Sequence, residues 1–234
     1  MLREEQKTIE VLDKGYVRII DVLGSDLAVV NAARASYAKE SEEFGDKDDR
    51  LLAFLIREHH WSPFRHAMMT FEFKAPLMVA RQHWKYVVGS DHTMDGWNEA
   101  SRRYITMATE FYVPKVDEWR SAPENSKQGS GDPVSPDMGS ILMHKLIMQL
   151  SEAQDNYEQA IEAGVAPEQA RLFLPMYGMY TNYRWTCSLQ SVCHFLQERL
   201  AHDAQLEIQL YAQAVRELVG PYFPRTMEKI VDSI

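Results

Sequence analysis

This sequence predicts an α+β fold, a small mixed sheet beneath a helical layer, on three observations. Two β-rich segments, at 8–12 and 16–23, flank a tight-turn signal at 13–15. A third alternating segment, 67–74, follows two helix-like stretches. The second half is mostly helical in its periodicity, so helices should cover a sheet face rather than alternate with strands.

Each element has a local reason. Asp13-Lys14-Gly15 supplies the turn between the first two strands. Ser25 or Asp26 caps a helix running to about residue 37. Over 46–59, Leu51, Leu52, Phe54 and Leu55 form an apolar stripe at helical spacing. Segment 67–74 alternates around Phe71 and Phe73. Pro76 suits the first turn of a helix to about residue 86, where its missing N–H is not needed. The stretch 121–140, rich in Pro, Gly and Ser, reads as a long loop or lid. Ser135-Pro136 opens a long periodic helix that ends near Gly164. Pro167 starts a short helix that stops before Pro175. Residues 179–186 are aromatic and read as a strand or an extended link. Ser188 caps a helix to about residue 201, and Asp203 caps another to residue 219. Pro221 and Pro224 then break the chain before a last short helix. With no internal repeat, residues 1–234 read as one domain.

Composition narrows the function. The chain carries 25 Lys+Arg against 34 Asp+Glu, a formal charge of −9, which argues against non-specific nucleic-acid binding. No run of 18 apolar residues offers a membrane span, and the charged start lacks an apolar signal core. Two cysteines make no disulfide framework, so a reducing, cytoplasmic location is expected.

Against this acidic background the arginine clusters stand out. Arg81 and Lys85 are four apart on one helix face, with Gln82 beside them, an arrangement that can hold a phosphate. Asn98–Glu99–Ala100–Ser101–Arg102–Arg103–Tyr104 follows a Gly/Asp/Ser stretch and suits a phosphate or polar heterocycle. Arg171 interrupts an apolar run and, if buried, needs an anion. Arg199 follows Phe195 by one turn, with Glu198 and Asp203 near enough in sequence to neutralise it. From spacing alone, a solvated basic face, a surface loop or a structural ion pair explains each cluster as well. Cys193-His194 has the composition of a nucleophile–base pair, but Cys193 falls between Val192 and Phe195 inside a helix, and a buried inert thiol is the better reading. Cys187 reads the same way. His59, His60 and His66 match no compact metal-ligand spacing, and no Gly-rich nucleotide motif is present.

Taken in order, these segments resemble the flavin-dependent thymidylate synthase family over nearly the whole chain. The resemblance runs from Val11–Val17 and Asn31–Tyr37 through His60–His66, Phe73–Gln82, Asn98–Tyr104 and Ala170–Pro175 to the helices of 191–213. The family signature is Arg-His-Arg, a short gap, then Ser. Here the matching triplet is Lys85-Tyr86-Val87 and thirteen residues precede Ser101; Arg65 replaces a usual acid, Asp203 a usual histidine and His194 a usual asparagine. The resemblance implies reductive methylation of dUMP to dTMP. Methylenetetrahydrofolate would give the carbon, FAD would carry the hydride, NADPH would reduce it, and a homotetramer would share its sites between subunits. It further implies that Gln82, Lys85, Glu99, Ala100, Ser101, Arg102, Arg103, Arg171 and Arg199 bind dUMP. Ser62, Lys85, Tyr86, Val87, Glu99, Ser188, Gln190 and His194 would line FAD, and Arg199 would be the catalytic group against the uracil. Hydroxymethylation, modification of a related pyrimidine nucleotide, and a non-catalytic nucleotide binder are the alternatives.

Overall fold

The computed structural model describes residues 7–89, 95–100, 109–124 and 129–232, without the side chains of 88 and 89. Five strands form one sheet: β1 (Thr8–Val11), β2 (Gly15–Leu23), β3 (Met68–Pro76), β4 (Gly96–Glu99) and β5 (Tyr180–Ser188), in the order β1-β2-β3-β5-β4. Every pairing is antiparallel, so the α+β expectation holds while the expected mixed character does not. The reason is the connection between β3 and β5. It spans about a hundred residues and returns the chain to the end at which β3 left, Tyr180 facing Pro76, so the two strands run antiparallel.

The sheet has two chemically distinct faces. Phe71, Phe73, Tyr183 and Trp185 point to the helical layer and are buried. Phe73 stacks on Tyr183 at 4.9 Å, and Tyr183 stacks on Trp97 of β4 at 4.1 Å. Burying one such ring contributes about 1.5–3 kcal/mol, so this column fixes β4 at the sheet edge. On the other face Glu72 accepts from Tyr16 at 2.9 Å and pairs with Arg18 and Arg184. β4 lies in the stretch expected to be loop. It has only four residues, and its pairing is set by β5, more than 80 positions away, not by a local pattern.

Eight helices surround this sheet among the described residues. In α1 (Asp26–Arg34) Ser25 is the cap, its Oγ accepting from the Ala28 N–H, and a 3-10 turn carries the chain on to Tyr37. Asp26 is spent elsewhere. Its buried carboxylate accepts from the Arg225 and Thr226 N–H groups and the Thr226 hydroxyl, anchoring α8 (Pro224–Val231). α2 (Asp46–Arg57) stops two residues short of the expected end, at a left-handed His59. Pro76 closes β3, and α3 runs over Leu77–Gly89. The 121–140 loop ends at Ser135, whose hydroxyl caps α4 (Pro136–Glu162). α5 (Pro167–Ala170) continues into a 3-10 turn at Arg171–Phe173. Ser188 caps α6 (Leu189–Arg199) as expected. α7 (Leu206–Val219) starts three residues after Asp203, which does not cap it. Ala204 closes a turn onto Ala201, and the Gln209 amide holds both their carbonyls, so the helix begins beyond that turn.

Residues 112–124 and 129–134 fold back over α4 and α7 as a strap. Backbone bonds Ser121 N–H to Asp132 O and Val134 N–H to Trp119 O close it. Gly139 lets it lie close, because a Cβ there would stand 2.0 Å from the Val116 carbonyl oxygen.

Candidate functional site

α3 and α6 cross so that Gln82 and Tyr86, one turn apart, meet Arg199 at the last turn of α6. The Arg199 guanidinium lies 4.1 Å from the Tyr86 ring centroid, and its Nη2 donates to the Tyr86 hydroxyl. Nη1 makes a long contact of 3.5 Å to Gln82 Oε1, and Glu198 lies 3.8 Å away. The arginine Nε is buried with no hydrogen-bond partner among the described residues. His194, one turn and a half earlier on α6, places its ring 5.8 Å from that of Tyr86. Guanidinium, phenol, amide and imidazole therefore meet in one cluster on facing helices, with a buried donor that has no hydrogen-bond partner among the described residues.

The other residues named from the sequence lie around this cluster in different ways. Ser188 and Gln190 stand at the far end of α6, roughly 16 Å and 14 Å along the helix from Arg199. Gln190 accepts from Arg65 at 3.1 Å, which ties the 3-10 segment Ser62–His66 to that end. The Ser188 hydroxyl is buried and occupied as the helix cap. Val87 packs into the core, and Lys85 is exposed on the outer face of α3. Glu99 ends β4 and accepts from the Thr181 hydroxyl at 2.9 Å, and the Ala100 N–H donates to Asn182 O, extending the ladder. Arg81 and Glu99 share a cavity of about 260 Å³ with Trp84 and Trp97. Ser101, Arg102 and Arg103 lie outside the described residues. Arg171 is not enclosed, since its neighbours Leu172 and Phe173 are exposed, and its Nε donates to the Glu168 carbonyl at 3.2 Å. Among the described residues no ion pair or hydrogen bond joins it to the Arg199 cluster.

Both sulfurs are poor nucleophiles where they sit. Cys187 and Cys193 are fully buried, and burial first of all pushes both thiol pKa values well up. A thiol held protonated cannot supply the thiolate that attack on a pyrimidine requires. Among the described residues no three His, Cys, Asp or Glu converge as a metal site, and no helix is long and apolar enough to cross a membrane.

Sequence reasoning missed several residues packed against the site. His83, on α3 between Gln82 and Trp84, is buried among Phe73, Tyr183, Trp185 and Phe195, with Nδ1 3.0 Å from the Tyr183 hydroxyl. Burial pushes its pKa down to about 3. Gln205, Glu207 and Arg120 stand behind Gln82, on one wall of a cavity of about 360 Å³. An arginine, a glutamine and a glutamate scattered over positions 120–207 form no motif that flags them in the sequence.

Comparison with known proteins follows the same architecture. Residues 18–225 match the family model described as thymidylate synthase complementing protein. The chain is 36% identical to the flavin-dependent thymidylate synthase of Wolbachia pipientis over 99% of its own length and 78% of that protein. It is 36% identical to the enzyme of that name from Thermotoga neapolitana over 95% of this chain and 94% of the other. Among solved structures, the UMP/dUMP methylase PolB from Streptomyces cacaoi, bound with 5-Br dUMP, superposes with a TM-score of 0.82. It is 28% identical, over 96% of this chain and 97% of that one.

Proposed function

We propose, on the premise that this chain belongs to the flavin-dependent thymidylate synthase family, that it methylates dUMP to dTMP. Methylenetetrahydrofolate is then the carbon donor and NADPH the reductant. The observation that carries the reading is the Arg199 guanidinium, held by Tyr86 and Gln82 with its Nε–H buried and unpartnered among the described residues. Leaving a buried donor unpaired costs about 1–3 kcal/mol. A ring carbonyl of uracil would offset that cost once the nucleotide displaces the side chains that now cover the Nε. It also meets the chemical need, because adding a one-carbon unit to the ring requires electron density at the accepting carbon. A guanidinium against the imide edge stabilises the negative charge that develops there. The buried state of Cys187 and Cys193 supports this route over a sulfur adduct.

Flavin supplies the hydride chemistry when bound. Gln190 and His194 on α6, with Ser62 on the 3-10 segment that Arg65 ties to its start and Tyr86 on α3 beside its end, suit an extended dinucleotide. Glu99 and Ala100 hold the start of the segment whose Ser101, Arg102 and Arg103 we assign to the nucleotide and its phosphate, alongside Lys85. Arg171 stands apart from Arg199 within one chain, and α4 exposes Met138, Ile141, Ile147 and Met148. Both features support a homotetramer in which a second copy completes each site, because exposed apolar surface of this kind marks contact surfaces. Two free cysteines support a cytoplasmic location.

The likeness to a protein named as a UMP/dUMP methylase favours one second reading, in which UMP is also a substrate. Purified protein loaded with FAD, then given NADPH, methylenetetrahydrofolate and either dUMP or UMP, separates the cases by product mass. Yellow protein and dTMP are expected. A protein that takes up no flavin and forms no dTMP refutes the reading, and a hydroxymethyl product corrects it.

A further inference from the structure

Behind the Arg199 cluster runs a chain of four hydrogen bonds that crosses from the strap to α6. Arg120 of the strap donates to Glu207 Oε1 at 2.6 Å, to the hydroxyl of Ser130 through Nε, and to the Glu118 carbonyl through Nη1. The other Glu207 oxygen accepts from Gln205 Nε2 at 2.8 Å. Gln205 Oε1 accepts from Gln82 Nε2, and Gln82 Oε1 faces Arg199 Nη1.

This chain has a direction, and the carboxylate sets it. Glu207 is buried; burial opposes its ionisation, but the Arg120 and Gln205 hydrogen bonds outweigh that and hold its pKa below the ordinary value. An ionised carboxylate only accepts. Gln205 must therefore turn its NH2 to Glu207 and its oxygen to Gln82. Gln82 must in turn give its NH2 to Gln205 and its oxygen to the guanidinium. Reversing either amide sets two donors or two acceptors face to face. Gln205 is free for this task because, although it stands at the cap position of α7, its side chain makes no cap bond.

We propose that Gln205 and Glu207 are positioning residues for Arg199, acting through Gln82. Glu207 gives the amide relay its polarity, so that Gln82 always presents an acceptor to the guanidinium and leaves its second N–H for the nucleotide. The inference rests on the dUMP-methylation reading. It also explains why the strap is stitched to α7, since Arg120 keeps the carboxylate charged and in place.

Charge placement can be tested separately from packing. In Glu207→Gln the anchor has the same shape but can offer a donor, so the relay loses its direction. The expected result is a drop in kcat/KM for dUMP, and a matching loss of dUMP affinity by calorimetry, of about tenfold to a hundredfold. Gln205→Met breaks the relay without touching the Arg120 pair and should show the same loss. The double variant Glu207→Gln/Gln205→Glu returns an acceptor-only group beside Gln82. It should recover to within a few-fold of the parent, although the Arg120–Glu207 ion pair is still broken. A residue that merely held the strap would not be rescued this way. Unchanged single variants, or a double variant no better than Glu207→Gln, overturn the inference while the parent enzyme still forms dTMP. A parent protein that neither binds dUMP nor forms dTMP fails the underlying reading, and this inference with it.

Discussion

Replacing His83 with glutamine tests how tightly the core is sealed beneath the site. The ring is fully buried, and burial moves its pKa from an ordinary 6.5 down to about 3. Between those values the unfolded chain holds a proton on this histidine and the folded protein does not. Stability from this group is therefore complete above pH 6.5 and is lost as pH falls toward 3. Each unit below 6.5 costs about 1.4 kcal/mol, so at pH 5 the parent has lost about 2 kcal/mol through His83 alone. Glutamine can still meet the Tyr183 hydroxyl but does not titrate. At pH 7.5 His83→Gln should be the less stable protein, because it gives up a ring packed 4.5 Å from both Trp185 and Phe195. At pH 5 the gap between the two proteins should narrow by about 2 kcal/mol. Urea unfolding at both pH values measures this directly, and groups that titrate equally in both proteins cancel. An unchanged or widened gap at pH 5 refutes the reasoning, because it means that the ring is hydrated or charged in the folded state. The consequence reaches the site, since Gln82 precedes this residue on α3 and acid that charges the ring must disturb it.

Three further outcomes follow from particular contacts. Arg199→Ala should lower turnover by about a hundredfold or more, the scale of losing a donor to developing charge, with the melting temperature nearly unchanged; turnover within threefold of the parent would contradict its role. Asp26→Ala strips two backbone N–H groups and the Thr226 hydroxyl of their acceptor, and should cost about 3 kcal/mol in urea unfolding, whereas a loss below about 0.5 kcal/mol would mean that α8 is not anchored there. Gly139→Ala sets a methyl against the Val116 carbonyl and should cost about 2 kcal/mol while α4 keeps its helicity; a stability equal to the parent would show that the strap does not bear on α4.

What the sequence made legible was what it encodes locally. The turn at Asp13–Gly15, the caps at Ser25, Ser135 and Ser188, and the alternation around Phe71 and Phe73 each depend on neighbours within a few residues. β4 was not legible, because four residues with one inward tryptophan become a strand only when Tyr183 and Trp185 offer their edge. The start of α7 was missed because Asp203 is a good cap by type, and only the fold shows Gln209 occupying the carbonyls there. At the site, Gln82 and Arg199 stood out by spacing, Tyr86 was named through resemblance, and the geometry brings the three together. Arg120, Gln205 and Glu207 escaped notice because their bonds join positions as far as 123 residues apart, and a lone glutamine carries no charge pattern to flag it.

The account stands on a pyrimidine activated by guanidinium rather than sulfur. The most direct measurement is dTMP formation by the double variant Cys187→Ala/Cys193→Ala, loaded with FAD and given dUMP, methylenetetrahydrofolate and NADPH. Turnover close to that of the parent, with no protein–nucleotide adduct in the intact mass of either protein, is the predicted result. A folded variant that forms no dTMP beside an active parent carrying a covalent nucleotide would contradict it.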